Sequence, residues 1–84
     1  MRVWCDFNGE VEPDAFRLEY AGTKRDLAEH GAALRAGLEL VLCMEDELSD
    51  GRPALLVVDA VVEAHPRFGF IARVRPESWR HEPQ

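Results

Sequence analysis

Two cysteines and three histidines carry the most specific chemistry in this chain. The cysteines are Cys5 and Cys43, and the histidines, His30, His65 and His81, lie far apart in the sequence. Zinc sites need ligands at short spacings such as CxxC or HxxxH, and the sequence contains none. A nucleophilic cysteine needs a nearby base and positive charge, whereas the residues around both cysteines are acidic. We therefore expect two structural thiols, no metal site and no cofactor.

Carboxylates are the other candidates for chemistry. Asp6 and Asp59 interrupt otherwise apolar stretches, and a carboxylate held in a pocket can act as a general acid or base. We expect each to point outward or to pair with an arginine such as Arg73 or Arg75. The acidic run 45–50 lacks the alternating carboxylates and the terminal glutamate of a calcium-binding loop. Since no nucleophile elbow or phosphate-binding loop occurs either, we predict no catalytic residues and no enzyme.

Arginines near the C-terminus form a basic cluster together with a tryptophan. Residues 1–66 carry 6 basic and 14 acidic groups, whereas residues 67–84 carry 4 basic and 2 acidic groups. Arginine beside aromatic residues is typical of nucleic-acid surfaces and of protein interfaces alike. The negative charge of the rest of the chain would repel phosphates, which favours a protein partner. Pairing of these arginines with the acidic strands beside them is the other interpretation.

Aromatic and apolar residues on outward faces complete the candidate partner-binding surface. Trp4, Val41 and Ile71 lie opposite the main apolar rows of their strands. Such residues either contact a partner or are covered by the chain itself. The predicted partner-binding residues are Trp4, Ile71, Arg73, Arg75, Trp79 and Arg80.

Length and charge limit the class of protein that can hold these residues. Eighty-four residues, 46% of them apolar, suit one small globular domain over 1–84, with 76–84 as a polar C-terminal tail. The net charge of −6 argues against nonspecific nucleic-acid binding. No apolar run approaches the ~18 residues that cross a bilayer, and no signal-peptide stretch is present, so we expect a cytoplasmic protein without membrane contact. Nine of its 10 basic residues are arginine, which suggests a GC-rich bacterial source.

Alternating apolar and polar residues predict five β-strands. The alternation covers residues 2–7, 15–20, 38–45, 54–64 and 67–75, and turn signals such as Asn8-Gly9 and Asp50-Gly51 separate these runs. The inward faces predict a core made of Phe16, Leu18, Leu40, Leu42, Leu56, Val58, Phe68 and Phe70. Five short antiparallel strands are typical of a small closed barrel, because closure leaves no exposed edge. We therefore predict a mainly β, SH3-like barrel.

The stretch between residues 23 and 48 has two interpretations. Gly31 and Gly37 would each cost about 1 kcal/mol inside a helix, and the apolar period changes after Gly37. We favour a short helical segment near 24–36 followed by a strand. The alternative is an α+β fold with one long helix over 24–47 on a four-stranded sheet.

Taken together, these features favour a non-catalytic module that binds a protein partner or a second copy of itself. Apolar residues occupy both faces of residues 54–58, and a twofold dimer is the commonest way to bury a surplus apolar surface. The alternatives are nucleic-acid binding through the C-terminal Arg/Trp cluster and a small enzyme that uses Asp6 or Asp59. The sequence identifies no small-molecule ligand.

Overall fold

The protein is mainly β, as the alternation predicts. In the computed structural model, which describes all 84 residues, seven strands accompany one α-helix and one 3₁₀ turn. The elements are β1 Arg2–Trp4, β2 Glu10–Glu12, β3 Ala15–Arg17, α1 Ala21–Glu29, β4 Glu39–Glu47, β5 Pro53–His65, β6 Gly69–Val74, the 3₁₀ turn Pro76–Ser78 and β7 Arg80–Pro83. Residues 80–83, expected in a polar tail, thus belong to the sheet.

All seven strands form one open sheet. Its order is β1–β4–β5–β6–β3–β2, and β7 pairs with β5 beside β6. The long strand β5 pairs with β4 along one edge, while β6 and β7 share its other edge. β1 is parallel to β4, and the other pairs are antiparallel. The predicted closed five-stranded barrel is not confirmed, because the outermost strands β1 and β2 do not pair with each other.

The favoured short helical segment is confirmed, although α1 lies earlier than the predicted range near 24–36, at Ala21–Glu29. It ends at Glu29, and β4 occupies residues 39–47, so one long helix over 24–47 does not form. Gly31 and Gly37 have φ values of 63° and 90°, in the left-handed region that a right-handed helix excludes. The Gly37 N–H donates to the Val62 carbonyl at 2.8 Å, which joins the loop after α1 to β5. With nine residues, α1 falls well short of the length that crosses a bilayer.

The hydrophobic core lies on one face of the sheet. Val58, Ala60 and Val62 of β5 belong to it together with Leu27 of α1, and the loop 30–38 packs against it through Ala32, Leu34 and Leu38. Of the predicted core, Phe16, Leu18, Leu40, Leu42 and Val58 are buried, whereas Leu56, Phe68 and Phe70 are half-buried. Leu56 is paired with Met44 and His81 at the far end of β5, beyond the covering loop.

The opposite face of the sheet carries no second layer. The molecule measures 41 × 28 × 19 Å, and a sheet plus one layer packed at about 10 Å explains the smallest dimension. We call this surface the open face. It is formed by the residues of β4 and β5 that alternate with the core residues, namely Val41, Cys43, Leu55, Val57, Asp59 and Val61, and by their neighbours on β1, β6 and β7.

The outer edge of β1 is closed by side chains of α1. The Trp4 N–H donates to the Asp26 carboxylate at 2.8 Å, and the Thr23 hydroxyl donates to the Trp4 carbonyl at 2.6 Å. β4 binds the other side of β1. Because both outward backbone groups of Trp4 have partners, this edge offers little to another strand.

Candidate functional site

Two ion pairs cross the centre of the open face. Arg2 on β1 donates to both carboxylate oxygens of Glu82 on β7, at 2.8 and 3.0 Å. Since β4 and β5 lie between those strands, this pair passes over them, and Val57 of β5 is 0% exposed. Arg75, just after β6, donates to Glu39 of β4 at 3.1 Å and so crosses β5. The long arginine side chains therefore cover apolar surface that no other layer protects.

A small cleft of about 260 Å³ lies beside the second ion pair. The residues that line it include Met1, Glu39, Val41, Asp59 and Arg75. Pockets for drug-sized ligands usually measure about 300–1,000 Å³. The cleft is thus large enough for one inserted side chain and too small to enclose a larger molecule.

The turn between β6 and β7 positions the arginines on either side of it. The Asp59 N–H donates to the Ser78 hydroxyl at 2.9 Å, and that hydroxyl donates to the Arg75 carbonyl at 2.7 Å. The Arg75 N–H in turn donates to the Asp59 carbonyl at 2.9 Å. These hydrogen bonds give the backbone groups of Asp59 partners at the point where the strand beside β5 changes from β6 to β7. They also fix where Arg75 and Arg80 enter the open face. Arg80 then donates to the Asp59 carboxylate at 3.2 Å.

A third ionic group lies at the other end of the open face. Arg73 of β6 donates to the carboxylates of Glu12 and Glu63 and, at 3.0 Å, to the carbonyl of Pro13. The hydrogen bond from Arg73 lowers the pKa of Glu12 below its usual value. The arrangement ties the loop after β2 to β5 and β6, so Arg73 has a structural role.

The two tryptophans are partly covered by the chain. Trp79 is 36% exposed, and its ring lies edge-on to Phe7 with ring centroids 4.9 Å apart, on the core side of the sheet. Trp4 is half-buried, and its indole N–H donates to Glu45 at 3.2 Å. Its ring packs against Tyr20 with centroids 5.9 Å apart. Neither ring lies at the centre of the open face.

The predicted partner-binding residues therefore fall into different environments. Ile71 is 1% exposed, which leaves it almost no surface for a partner. Arg73, Arg75 and Arg80 do share the open face, and each is bound to a carboxylate of this chain. Ion pairing with the acidic strands, the other interpretation of the cluster, is thus the observed arrangement.

Several residues of the open face were missed from the sequence. Arg2 and Glu82 are 80 positions apart, so no local pattern indicates their ion pair. Glu39 and Val61 carry no motif, and only the register of β4 with β5 brings them together. Alternation within β5 is the one signal that could have placed Val61 on the outward face.

Neither cysteine is prepared for nucleophilic chemistry. Burial raises the pKa of Cys5 to about 12, and burial also raises the pKa of Cys43. Since the thiolate is the reactive form, burial disfavours reaction of both side chains at neutral pH. Cys5 belongs to the core, whereas Cys43 alternates with core residues of β4 and lies on the open face. Both are free.

The fold and the open face define a small β-sheet protein with one uncovered face. The chain matches no family model, no curated protein and no solved structure. Its function therefore has to be argued from the open face itself. No three His, Cys, Asp or Glu side chains come together in a way that could hold a metal ion.

Proposed function

We propose that the protein is a non-catalytic binding module that contacts a protein partner through its open face. The main observation behind this proposal is that the seven-stranded sheet has a layer on one side only. The uncovered side nevertheless holds partly exposed apolar side chains, namely Val41, Cys43, Leu55 and Val61. Sheets normally bury an apolar face against another layer, and an exposed apolar patch with a polar rim is typical of an interaction surface.

The size of the cleft favours a macromolecule over a small ligand. A cavity of about 260 Å³ beside Val41 would accept one side chain of a partner. Interfaces gain much of their affinity from a few such anchors in desolvated pockets. A surface whose one cleft is this small is therefore better suited to a protein than to an enclosed substrate.

Charge pairing favours a protein partner over nucleic acid. Arg73, Arg75 and Arg80 each donate to a carboxylate of this chain. An arginine that already faces a carboxylate gains less from a phosphate, because the carboxylate repels that phosphate. Because these three arginines are paired, they do not form a free basic surface that would support nucleic-acid binding through the C-terminal cluster.

The two carboxylates considered for catalysis have structural partners. Asp6 accepts hydrogen bonds from the backbone and side-chain nitrogens of Asn8, at 2.9 and 3.1 Å, and so shapes the turn after β1. Asp59 accepts from Arg80 at 3.2 Å. These roles account for both residues without a catalytic step. A cytoplasmic location stays a prediction.

Site-specific photo-crosslinking in cells tests the proposal. A photoreactive amino acid replaces Val61 on the open face or, as a matched control, Ala33, which is exposed in the loop on the other side. We expect position 61 to give one major protein adduct, identified by mass spectrometry, which position 33 does not give. Equal adducts from both positions, or none from position 61, would contradict the proposal. An adduct with nucleic acid would favour the alternative.

A further inference from the structure

We infer that the edge of β5 over residues 54–57 is a binding site for an extended segment of a protein partner, and that the C-terminal residues of this chain cover it. We call this stretch of β5 the edge site and the covering residues, 80–84, the strap. The edge site is a strand edge and not the open face, so it goes beyond the proposed function. Two features carry the inference: how the strap is attached and what lies beneath it.

The backbone of the edge site depends on the strap for its hydrogen bonds on one side. Gln84 donates its N–H to the carbonyl of Pro53 at 3.3 Å. Because hydrogen-bonded pairs recur at every second residue of an antiparallel ladder, Leu55 and Val57 also bond to the strap. The even-numbered residues of β5 bond to β4 on the other side. Release of the strap would therefore leave an apolar strand edge without partners, and such an edge is a template for another strand.

The strap is attached by polar contacts rather than by apolar burial. Of its five residues, four are exposed and Glu82 is half-buried. Its ionic side chains reach β1, β4 and β5 through Arg2, Asp46 and Asp59. Ion pairs between partly exposed side chains contribute little to stability. A short terminal segment held in this way opens more readily than the core.

The chain before the strap is anchored independently. The Ser78 hydroxyl accepts a hydrogen bond from the Asp59 N–H and donates one to the Arg75 carbonyl. The ring of Trp79 lies edge-on to Phe7. These contacts hold the 3₁₀ turn against the sheet, so the strap is the part that can move. Its release opens the edge site without disturbing the core.

The outer edges of the sheet are less suited to a partner strand. The edge of β1 is closed by Thr23 and Asp26 of α1. β2 has only three residues, two of them glutamates, and its register with β3 is irregular. Short, charged and irregular edges resist pairing. The edge site is longer and apolar, with the sequence Ala-Leu-Leu-Val.

The strap shows which charged side chains the edge site accepts. Arg80 contacts Asp59, and Glu82 contacts Arg2, on the open-face side of the sheet. A partner segment in the same register meets the same two groups. It therefore needs a base and an acid at alternate positions.

The residue between that base and that acid determines whether a partner displaces the strap. His81 lies opposite Leu56, which in turn lies opposite Met44, on the core side of the sheet. Both apolar side chains are half-buried. An apolar side chain in place of the histidine would cover them and gain more hydrophobic free energy than histidine does. We expect the partner segment to contain a base, an apolar residue and an acid in succession.

Hydrogen exchange of the full chain, followed by NMR, tests release of the strap. The N–H of Val57 bonds to the strap, whereas that of Val58 bonds to β4. We expect Val57 to be at least about tenfold less protected than Val58. Glu82→Gln should lower the protection of Val57 further, and Glu77→Gln, the matched control, should not. Val61, whose N–H bonds to β6, should be protected like Val58. Equal protection of Val57 and Val58 would overturn the strap.

Binding of a synthetic peptide to the full chain tests the edge site itself. The peptide has the sequence of residues 79–84 with His81→Leu, and a control peptide has its arginine and glutamate exchanged. We expect the peptide to shift the amide signals of Leu55 and Val57. It should bind the Glu82→Gln chain about two- to fivefold more tightly than the parent chain, because a weakened strap competes less. The control peptide should bind at least about fivefold more weakly.

The contrary outcomes separate the edge site from the proposed function. A peptide that does not bind, or that binds both chains equally, would overturn the edge site as a site covered by the strap. Equal binding of the control peptide would overturn the pattern of charges expected in the partner. Shifts confined to Val41 and Val61 would place the peptide on the open face instead. The proposed function depends on crosslinking from position 61 and fails or survives separately.

Discussion

The hydroxyl of Thr23 in α1 donates a hydrogen bond of 2.6 Å to the carbonyl of Trp4 in β1. Thr23 is fully buried, and Asp26, one turn further along the helix, accepts from the Trp4 N–H. The helix thus occupies the position that a further strand would take beside β1. As a result, a further strand cannot pair with the sheet at this edge. The open face is then the surface that we propose for a partner.

Replacing Thr23 with valine tests this edge closure. Valine keeps the shape but removes the donor, which leaves a buried carbonyl without a partner. We expect Thr23→Val to lower the free energy of unfolding by about 1–3 kcal/mol, measured by urea denaturation. Thr23→Ser keeps the hydroxyl and serves as the control. Equal stability of the valine variant and the parent chain would show that the hydrogen bond does not hold the helix to β1.

The turn after β1 depends on the absence of a side chain at Gly9. A Cβ atom there would lie 1.8 Å from the Tyr20 hydroxyl oxygen and 2.9 Å from the ring carbon that carries it. We expect Gly9→Ala to lower the free energy of unfolding by about 1–3 kcal/mol, as overpacking does. In a Tyr20→Phe background the loss should be smaller, because the nearest atom is gone. A double-mutant cycle that finds the same loss in both backgrounds would contradict this contact.

Acid should weaken the ion pair between Arg2 and Glu82. The hydrogen bonds from Arg2 hold the pKa of Glu82 below its usual value. A carboxylate whose pKa is lowered by folding stabilises the protein above its unfolded pKa, about 4.3, and that contribution is lost as the pH falls through the lower folded pKa. Glu82→Gln should therefore reduce the acid dependence of the free energy of unfolding between about pH 6 and 2.

The control for this pH experiment is Glu77→Gln. Glu77 is exposed on the 3₁₀ turn and forms no ion pair in the structure. Its replacement should leave the acid dependence of unfolding close to that of the parent chain. If Glu82→Gln and Glu77→Gln have the same effect, the Arg2–Glu82 pair does not contribute.

Thiol reagents should distinguish the two cysteines. Because burial raises the pKa of Cys5 to about 12, almost none of it is thiolate at pH 8, and Cys43 is less buried. We expect a disulfide reagent to modify native Cys43 slowly and Cys5 more slowly still, with both reacting fast in denaturant. Comparing the parent chain with Cys43→Ser isolates the reaction of Cys5. A native Cys5 that reacts at its denatured rate would contradict the burial.

Local alternation was enough to predict the long strands. The runs at 38–45, 54–64 and 67–75 correspond closely to β4, β5 and β6, because each buries one apolar face against the core. β2 and β7 are polar, as in Arg80–Pro83, and are held by backbone pairing with their neighbours and by ion pairs such as Arg2–Glu82. Periodicity carries no signal for such strands.

Closure of the sheet could not be predicted from local patterns. A barrel requires pairing between its first and last strands, whereas β1 here pairs in parallel with β4 and is closed on its other side by Thr23 and Asp26. The open face could not be predicted for the same reason, because it too depends on the order of the strands. Its ion pair between Arg2 and Glu82 depends on the order of four strands, and composition indicates only that arginines and acids are available to pair.

Methyl NMR spectra test the open face as a binding surface most directly. With the valine and leucine methyl groups assigned, the protein is compared alone and with the partner that crosslinking at position 61 identifies. We predict that the signals of Val41, Leu55 and Val61 shift or broaden when the partner is added, while those of Leu27 and Leu34, in the layer on the other side of the sheet, stay fixed. Unchanged signals throughout, or changes confined to Leu27 and Leu34, would contradict the account.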